Sequence, residues 1–223
     1  LGVVSFLTIV MFYLRTYDSC QIKITIVQLG GTLLIAAWLV KLLEERRVSF
    51  TNGWVVCAPV IAMLLSGVIS FALSPFKTTS WDDGLRRLLY VGAFFATIDT
   101  LRTEDRMRWF LRWIAAGAFL SIGYGVVQYI DTHFYAPPPS QEGVDPFIWR
   151  HAFGTRIFST MGNPNFYGDF LAWICPVLLM LYFVTRKYLY MALAVAAGLC
   201  AYWTNSKGAW IGYAAGVAAF AAM

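Results

Sequence analysis

From Arg156 to Asp169 the chain reads Arg-Ile-Phe-Ser-Thr-Met-Gly-Asn-Pro-Asn-Phe-Tyr-Gly-Asp, where loop chemistry, a helix start and ionisable groups coincide. Gly162 permits a turn with positive φ, and Pro164 fixes its own φ while pushing Asn163 out of the α region. Asn163 therefore suits an N-cap, its side-chain oxygen accepting from an orphan backbone N–H, and Pro164 suits the first helical position. A helix beginning there directs free N–H groups and the positive end of its dipole outward. Arg156 lies a few residues upstream, so the stretch favours an anion. The same residues also suit a plainer role, a turn leading into a membrane helix. Asp169 falls one turn beyond Asn165 on the same helix face. It suits a general base for an acceptor hydroxyl, or an ion-pair partner for Arg156 or Lys207.

Thr204-Asn205-Ser206-Lys207-Gly208-Ala209-Trp210 opens the last apolar run and is a second polar helix start, with the cation Lys207 in it. Alone it is a turn with a snorkelling lysine; converging with the first turn it makes a site. Arg86 and Arg87 follow Asp82 and Asp83 at the head of another apolar run, and are expected to meet a phosphate or to pair with those aspartates. His133 and His151 are the only histidines. Both fall in the long loop expected over 131–163, in no spacing that demands acid–base catalysis. Cys20, Cys57, Cys175 and Cys200 have no metal-ligand spacing, and the last three lie inside apolar runs, as packing residues do. Metal-binding, Walker, Rossmann and nucleophile-elbow patterns are missing, so neither metal nor cofactor is expected.

The elements that must position these residues are membrane helices. Charged residues make up 13% of the chain against roughly 25% in soluble proteins, and the mean hydropathy is +0.63. Charge-free runs over 53–73, 113–130 and 188–206 approach or exceed the roughly 18 residues that suggest a spanning helix. The apolar runs over 24–40, 170–185 and 208–223, and that over 85–98 with Arg86 and Arg87 at its head, are shorter, but flanking Arg and Lys can snorkel. With 1–14 this makes eight candidate helices in one all-α transmembrane bundle over 1–223. Both ends fall inside apolar runs, so the chain is expected to be a piece of a longer protein. Residues 1–14 lack the basic flank and cleavage site of a signal peptide.

The 17 basic residues are scattered over the loops, which fits membrane topology and not a nucleic-acid partner. Even-numbered loops are short and dense in Lys and Arg, which places them in the cytoplasm. The loop 131–163, the Gly-Asn-Pro-Asn turn and Lys207 then lie on the outer face. Within that loop Pro137-Pro138-Pro139 is extended, and Phe147-Ile148-Trp149-Arg150-His151 resembles an interfacial segment. Gly30-Gly31 and Gly123-Tyr124-Gly125 suit helix packing.

Taken in order, Arg156, Gly162-Asn163-Pro164-Asn165, a span containing Pro176, one further span and Thr204-Asn205-Ser206-Lys207-Gly208-Ala209-Trp210-Ile211-Gly212 resemble the O-antigen ligase and polymerase superfamily. There the pattern reads roughly as Arg, Gly-Asn-Pro-Asn, a proline-containing helix and Thr-x-Ser-Arg-Gly-Ala-Trp. The resemblance covers 156–212; the preceding helices agree in general character.

It implies a multi-pass enzyme of the bacterial inner membrane, taking an undecaprenyl-pyrophosphate-linked glycan as donor. Outside the cytoplasmic membrane the glycan passes to an acceptor hydroxyl on lipid A core, a growing glycan or a protein. No nucleotide or metal is obligatory. Such transfer needs a stabilised diphosphate leaving group and a deprotonated acceptor. Arg156, Asn163, Asn165 and Lys207 match the first need, with Arg86 and Arg87 as further phosphate ligands. Asp169 is the candidate base. Two departures stand out. Lys207 replaces the family's arginine and loses its bidentate fork. The family also carries a large outer loop, with an essential arginine and histidine, beyond the matched region, so 1–223 alone is expected to be inactive. Polysaccharide polymerase and protein O-oligosaccharyltransferase are alternatives within the superfamily. A transporter or non-catalytic membrane protein is the alternative of another class, and a transporter would place polar groups at mid-bilayer on broken helices.

Overall fold

A computed structural model describes residues 1–12, 21–45, 53–135 and 153–222. Among them are eight α-helices and no strand, so the architecture is the all-helical one expected. The helices are α1 (Gly2–Val10), α2 (Gln21–Glu45), α3 (Gly53–Leu73), α4 (Lys77–Thr100), α5 (Glu104–Phe134), α6 (Pro164–Thr185), α7 (Tyr188–Trp203) and α8 (Lys207–Ala221). Of these, α2, α5 and α6 are long and apolar enough to cross a membrane, while α7 and the 57–73 part of α3 are shorter apolar helices. The chain is a helical membrane protein.

Three expected loops shrink because helices extend into them. Residues 74–84 were expected as loop, yet α4 begins at Lys77 and carries Asp82, Asp83, Arg86 and Arg87 on its surface. Ser74 Oγ accepts from Phe76 N at 3.1 Å, and Lys77 Nζ donates to Phe71 O and Ala72 O at 2.7 and 2.9 Å. The lysine thereby satisfies the carbonyls that α3 leaves open at its end. Similarly α5 starts at Glu104, where Glu104 and Asp105 oppose the positive end of the helix dipole. Its far end reaches Phe134, so His133 stands in the last helical turn and not in a loop, its Nδ1 2.9 Å from Tyr129 O. His151, Cys20 and the segment 136–152 lie outside the described residues.

The chain forms two compact units. The first comprises Leu1–Val4 and Ile24–Leu111. Here α2 and α4 run side by side in the same direction. Leu89 meets Gly31, Ile35 meets Gly92, and Asp99 meets Trp38 and Lys41. A Cβ at Gly92 would stand 2.7 Å from Ile35 Cδ1, the far end of a side chain that would have to shift to make room. Asp99 is the buried charge of this unit. Lys41 Nζ reaches Oδ2 at 2.7 Å, Trp38 Nε1 donates to the same oxygen at 3.2 Å, and Arg102 pairs with Oδ1. The knot ties the ends of α2 and α4 together.

The second unit comprises Ser5–Lys23 and Arg112–Met223. Its core is one face of α6, where Tyr167, Leu171, Ile174 and Leu178 recur at helical spacing and are fully buried. On a neighbouring face α6 and α8 run parallel and close. Gly168 meets Ala209, Ala172 meets Gly212, and Pro176 meets Gly216. Pro176 has no N–H to bond Ala172 O, and a Cβ on Gly216 would lie 3.2 Å from that oxygen. Small residues thus let two backbones approach where the helix ladder is interrupted.

Removing the buried acid takes away the shared partner of Lys41 and Arg102, each a third or more exposed, and unties α2 from α4. Asp99→Ala is therefore expected to lower the thermal midpoint in detergent, at a cost of roughly 2–4 kcal/mol. Arg108→Ala, which breaks the exposed Arg108–Glu104 pair on α5, should leave that midpoint nearly unchanged.

Candidate functional site

The start of α6 has the local geometry its residues dictate. Gly162 is left-handed at φ 72, and Asn163 is extended at φ −147, ψ 134. Asn163 Oδ1 accepts from Asn165 N at 2.8 Å, and Pro164 takes the first helical position. The start of α8 is built in the same way from different residues. Asn205 turns the chain at φ 50, and Ser206 Oγ accepts from Ala209 N at 3.5 Å. Thr204, fully buried, donates from Oγ1 to Ala201 O at 2.7 Å and accepts from Ser206 N at 3.3 Å.

Arg156 joins these two turns. Its Nε donates to Thr204 O at 2.7 Å and its Nη2 to Asn165 Oδ1 at 2.9 Å, while Ile157 N reaches Trp203 O at 3.4 Å. A guanidinium has five N–H donors, and two are used here among the described residues. The other three, on the half-buried head, bond no described residue. Close contact between Gly168 and Ala209 holds the two helix starts together, so both positive dipole ends emerge beside the arginine.

Arg156, Asn163, Asn165 and the turn that bears Lys207 therefore converge. Lys207 itself is exposed at the first position of α8. Asp169 is exposed one turn beyond Asn165, and among the described residues it pairs with neither Arg156 nor Lys207, because the arginine's bonds go to Asn165 and Thr204. Arg86 and Arg87 belong to the first unit. Arg86 stands 3.8 Å from Asp83, and the Arg87 side chain lies along Gly67 of α3.

Arg156 is held in place by residues on α5 that the motif pattern does not include. A 3-10 turn, Ser159–Met161, precedes Gly162, and Ser159 is strained at φ 47. Gln128 Oε1 accepts from both Phe158 N and Ser159 N, at 3.1 and 2.7 Å. Ser159 Oγ donates to Ser121 O at 2.5 Å, and Thr160 Oγ1 donates to Ile9 O at 2.7 Å. Tyr167 closes the network, its hydroxyl donating to Ser121 O at 3.3 Å with its ring against Gly125. The signal was present in the sequence as Ser121, Gly125 and Gln128 on one stripe of an apolar helix. Gly125 packs as expected of that pair of glycines, whereas Gly123 faces open space. Tyr129 stacks on Trp203 at 3.8 Å and under His133 at 4.1 Å, an aromatic column beside the Ile157–Trp203 link.

Cys175 and Cys200 are buried free thiols, and among the described residues no group of three His, Cys, Asp or Glu side chains is placed to hold a metal ion. Fold and site together define a helical membrane protein with two joined, side-chain-capped helix starts. Set against known proteins, the chain matches no family model, no curated protein and no solved structure.

Gln128→Leu leaves two buried N–H groups without an acceptor and should cost roughly 2–4 kcal/mol in unfolding free energy. Asn163→Ala removes one cap and should cost about 1 kcal/mol. Thermal unfolding of the two variants in one detergent tests the order. The reverse order would mean that the α6 cap, and not α5, fixes the turn.

Proposed function

We propose that the chain is part of an O-antigen ligase-like enzyme that transfers a glycan from an undecaprenyl-pyrophosphate carrier to an acceptor hydroxyl, with the joined starts of α6 and α8 as the pyrophosphate site. The observation that supports this best is the bonding of Arg156 to Asn165 and Thr204, one residue from each motif, with three N–H donors to spare. As the bond from the anomeric carbon to the diphosphate breaks, negative charge grows on the leaving oxygen. Donors already oriented toward that charge lower the barrier most, because they need not reorganise. Arg156 supplies the fork, Lys207 a second cation, and the backbone N–H groups behind Asn163 and Ser206 the dipoles. Asp169, exposed one turn beyond Asn165, is the candidate to take the acceptor's proton.

The dense Lys and Arg of the even-numbered loops support a site on the outer face, and the resemblance implies the bacterial inner membrane. Lipid A core, a growing glycan and a protein serine all present a hydroxyl, so ligase, polymerase and protein-glycosylating forms differ in acceptor and share the donor site.

The test uses the full-length protein with a purified lipid-linked oligosaccharide. Arg156→Ala should abolish transfer while leaving membrane insertion intact, and Lys207→Arg should retain it, since charge is kept. Normal transfer by Arg156→Ala would remove the pyrophosphate site. Absence of transfer by the wild type to lipid A core, glycan and peptide acceptors alike would favour a transport or non-catalytic role.

A further inference from the structure

The first unit holds a polar groove that contributes no residue to the pyrophosphate site proposed at α6 and α8. It lies between α2 and α4, has a volume of about 320 Å³, and is lined by Gln28, Asp82, Leu85, Arg86 and Leu89. Asp82 and Arg86 are one helical turn apart, so carboxylate and guanidinium face the same way. Neither the Asp82 carboxylate nor the Gln28 carboxamide hydrogen-bonds any described residue. Arg86 has one loose ion pair, with Asp83 at 3.8 Å. An acid, a base and an amide thus open into one groove, beside the leucines that line it.

Depth in the membrane decides what kind of molecule can fill it. The Asp99 knot, with Lys41 and Arg102, marks the polar level at the far end of α4. Asp82 lies 17 positions before Asp99, which at 1.5 Å per residue is about 25 Å along the helix. The hydrocarbon core is about 30 Å thick and α2, which runs beside α4, is long and apolar enough to cross it, so a separation of that size suits Asp82 and Arg86 to the opposite headgroup level. A ligand there needs a phosphate for Arg86, a cation for Asp82 and apolar chains for the leucines.

We propose that this groove binds a phospholipid with an ethanolamine headgroup. Its phosphate pairs with Arg86, its primary ammonium donates to Asp82, the Gln28 carboxamide N–H donates to a phosphate or ester oxygen, and its acyl chains run along Leu85 and Leu89. The headgroup carries both charges on one short stem, and the two side chains line the groove one helical turn apart. A glycerol headgroup would bring no cation to Asp82, and a choline headgroup has no N–H to donate. The proposal draws on the first unit alone and stands whether or not the pyrophosphate site does.

The test is native mass spectrometry of the delipidated parent protein with phosphatidylethanolamine, phosphatidylcholine and phosphatidylglycerol of identical acyl chains. One charge-assisted hydrogen bond should favour the ethanolamine lipid by about tenfold over the choline lipid. Asp82→Asn should erase that preference, Asp82→Glu should restore it, and Arg86→Gln should weaken binding of all three. Asp83→Asn, an acid that does not line the groove, should change nothing. Equal retention of the three lipids by the wild type, or an ethanolamine preference that survives Asp82→Asn, would overturn the proposal. So would full displacement by soluble phosphoethanolamine, which would show that the acyl chains contribute nothing.

Discussion

The second unit depends on the bonds of one arginine. Two helices run parallel with their starts in contact, and each start has its own turn, its own cap and its own sequence. Arg156 bonds the α6 start through the Asn165 side chain and the α8 start through the Thr204 carbonyl. These bonds fix the guanidinium before any ligand arrives. The arginine is fixed in turn from α5, because Gln128 satisfies two backbone N–H groups and Ser121 anchors the strained Ser159. Unpaired N–H groups at that depth would cost far more than the side chains that pair them. Polar residues on an otherwise apolar helix are therefore the structural base of the site.

Much of this was legible in the sequence where the cause is local. Gly162, Asn163 and Pro164 each restrict their own backbone, so the α6 start follows from four consecutive residues. The eight helices were legible too, since apolar runs of that length have few other fates. Helix ends were not. In the sequence Asp82 and Asp83 read as loop, with Arg86 and Arg87 at the head of the next run, because charge reads as the end of a membrane helix. At the headgroup level a helix simply continues with charged residues on its surface, and Lys77 can bond the preceding helix from inside the next. The role of Gln128 was hidden for another reason. Its partners lie 30 and 31 positions away, and no local pattern couples them.

The two units manage buried charge differently. In the first, Asp99 is surrounded by Lys41, Arg102 and Trp38, so its charge is answered entirely by the protein. Such a knot joins helices and leaves little for a ligand to gain. In the second, Arg156 meets only uncharged oxygens among the described residues, and its positive charge is solvated but not neutralised. That contrast separates a structural charge from one available to chemistry.

The direction of the helices makes the same point from electrostatics. Because α7 returns between them, α6 and α8 must start on the same side, and the Gly168–Ala209 contact brings those starts together. Their dipoles then point the same end at the same place, and the guanidinium adds a full positive charge. Left to itself that cluster is mutually repulsive. The caps from Asn163 and Ser206 relieve part of the repulsion by occupying N–H groups, and the Thr204 carbonyl relieves more. What remains is one guanidinium charge beside two positive dipole ends, held by bonds to Asn165 and Thr204. Donors held in that way by the protein's own bonds need not reorganise to meet an anion, and the proposed transfer from a diphosphate would draw on that preorganisation.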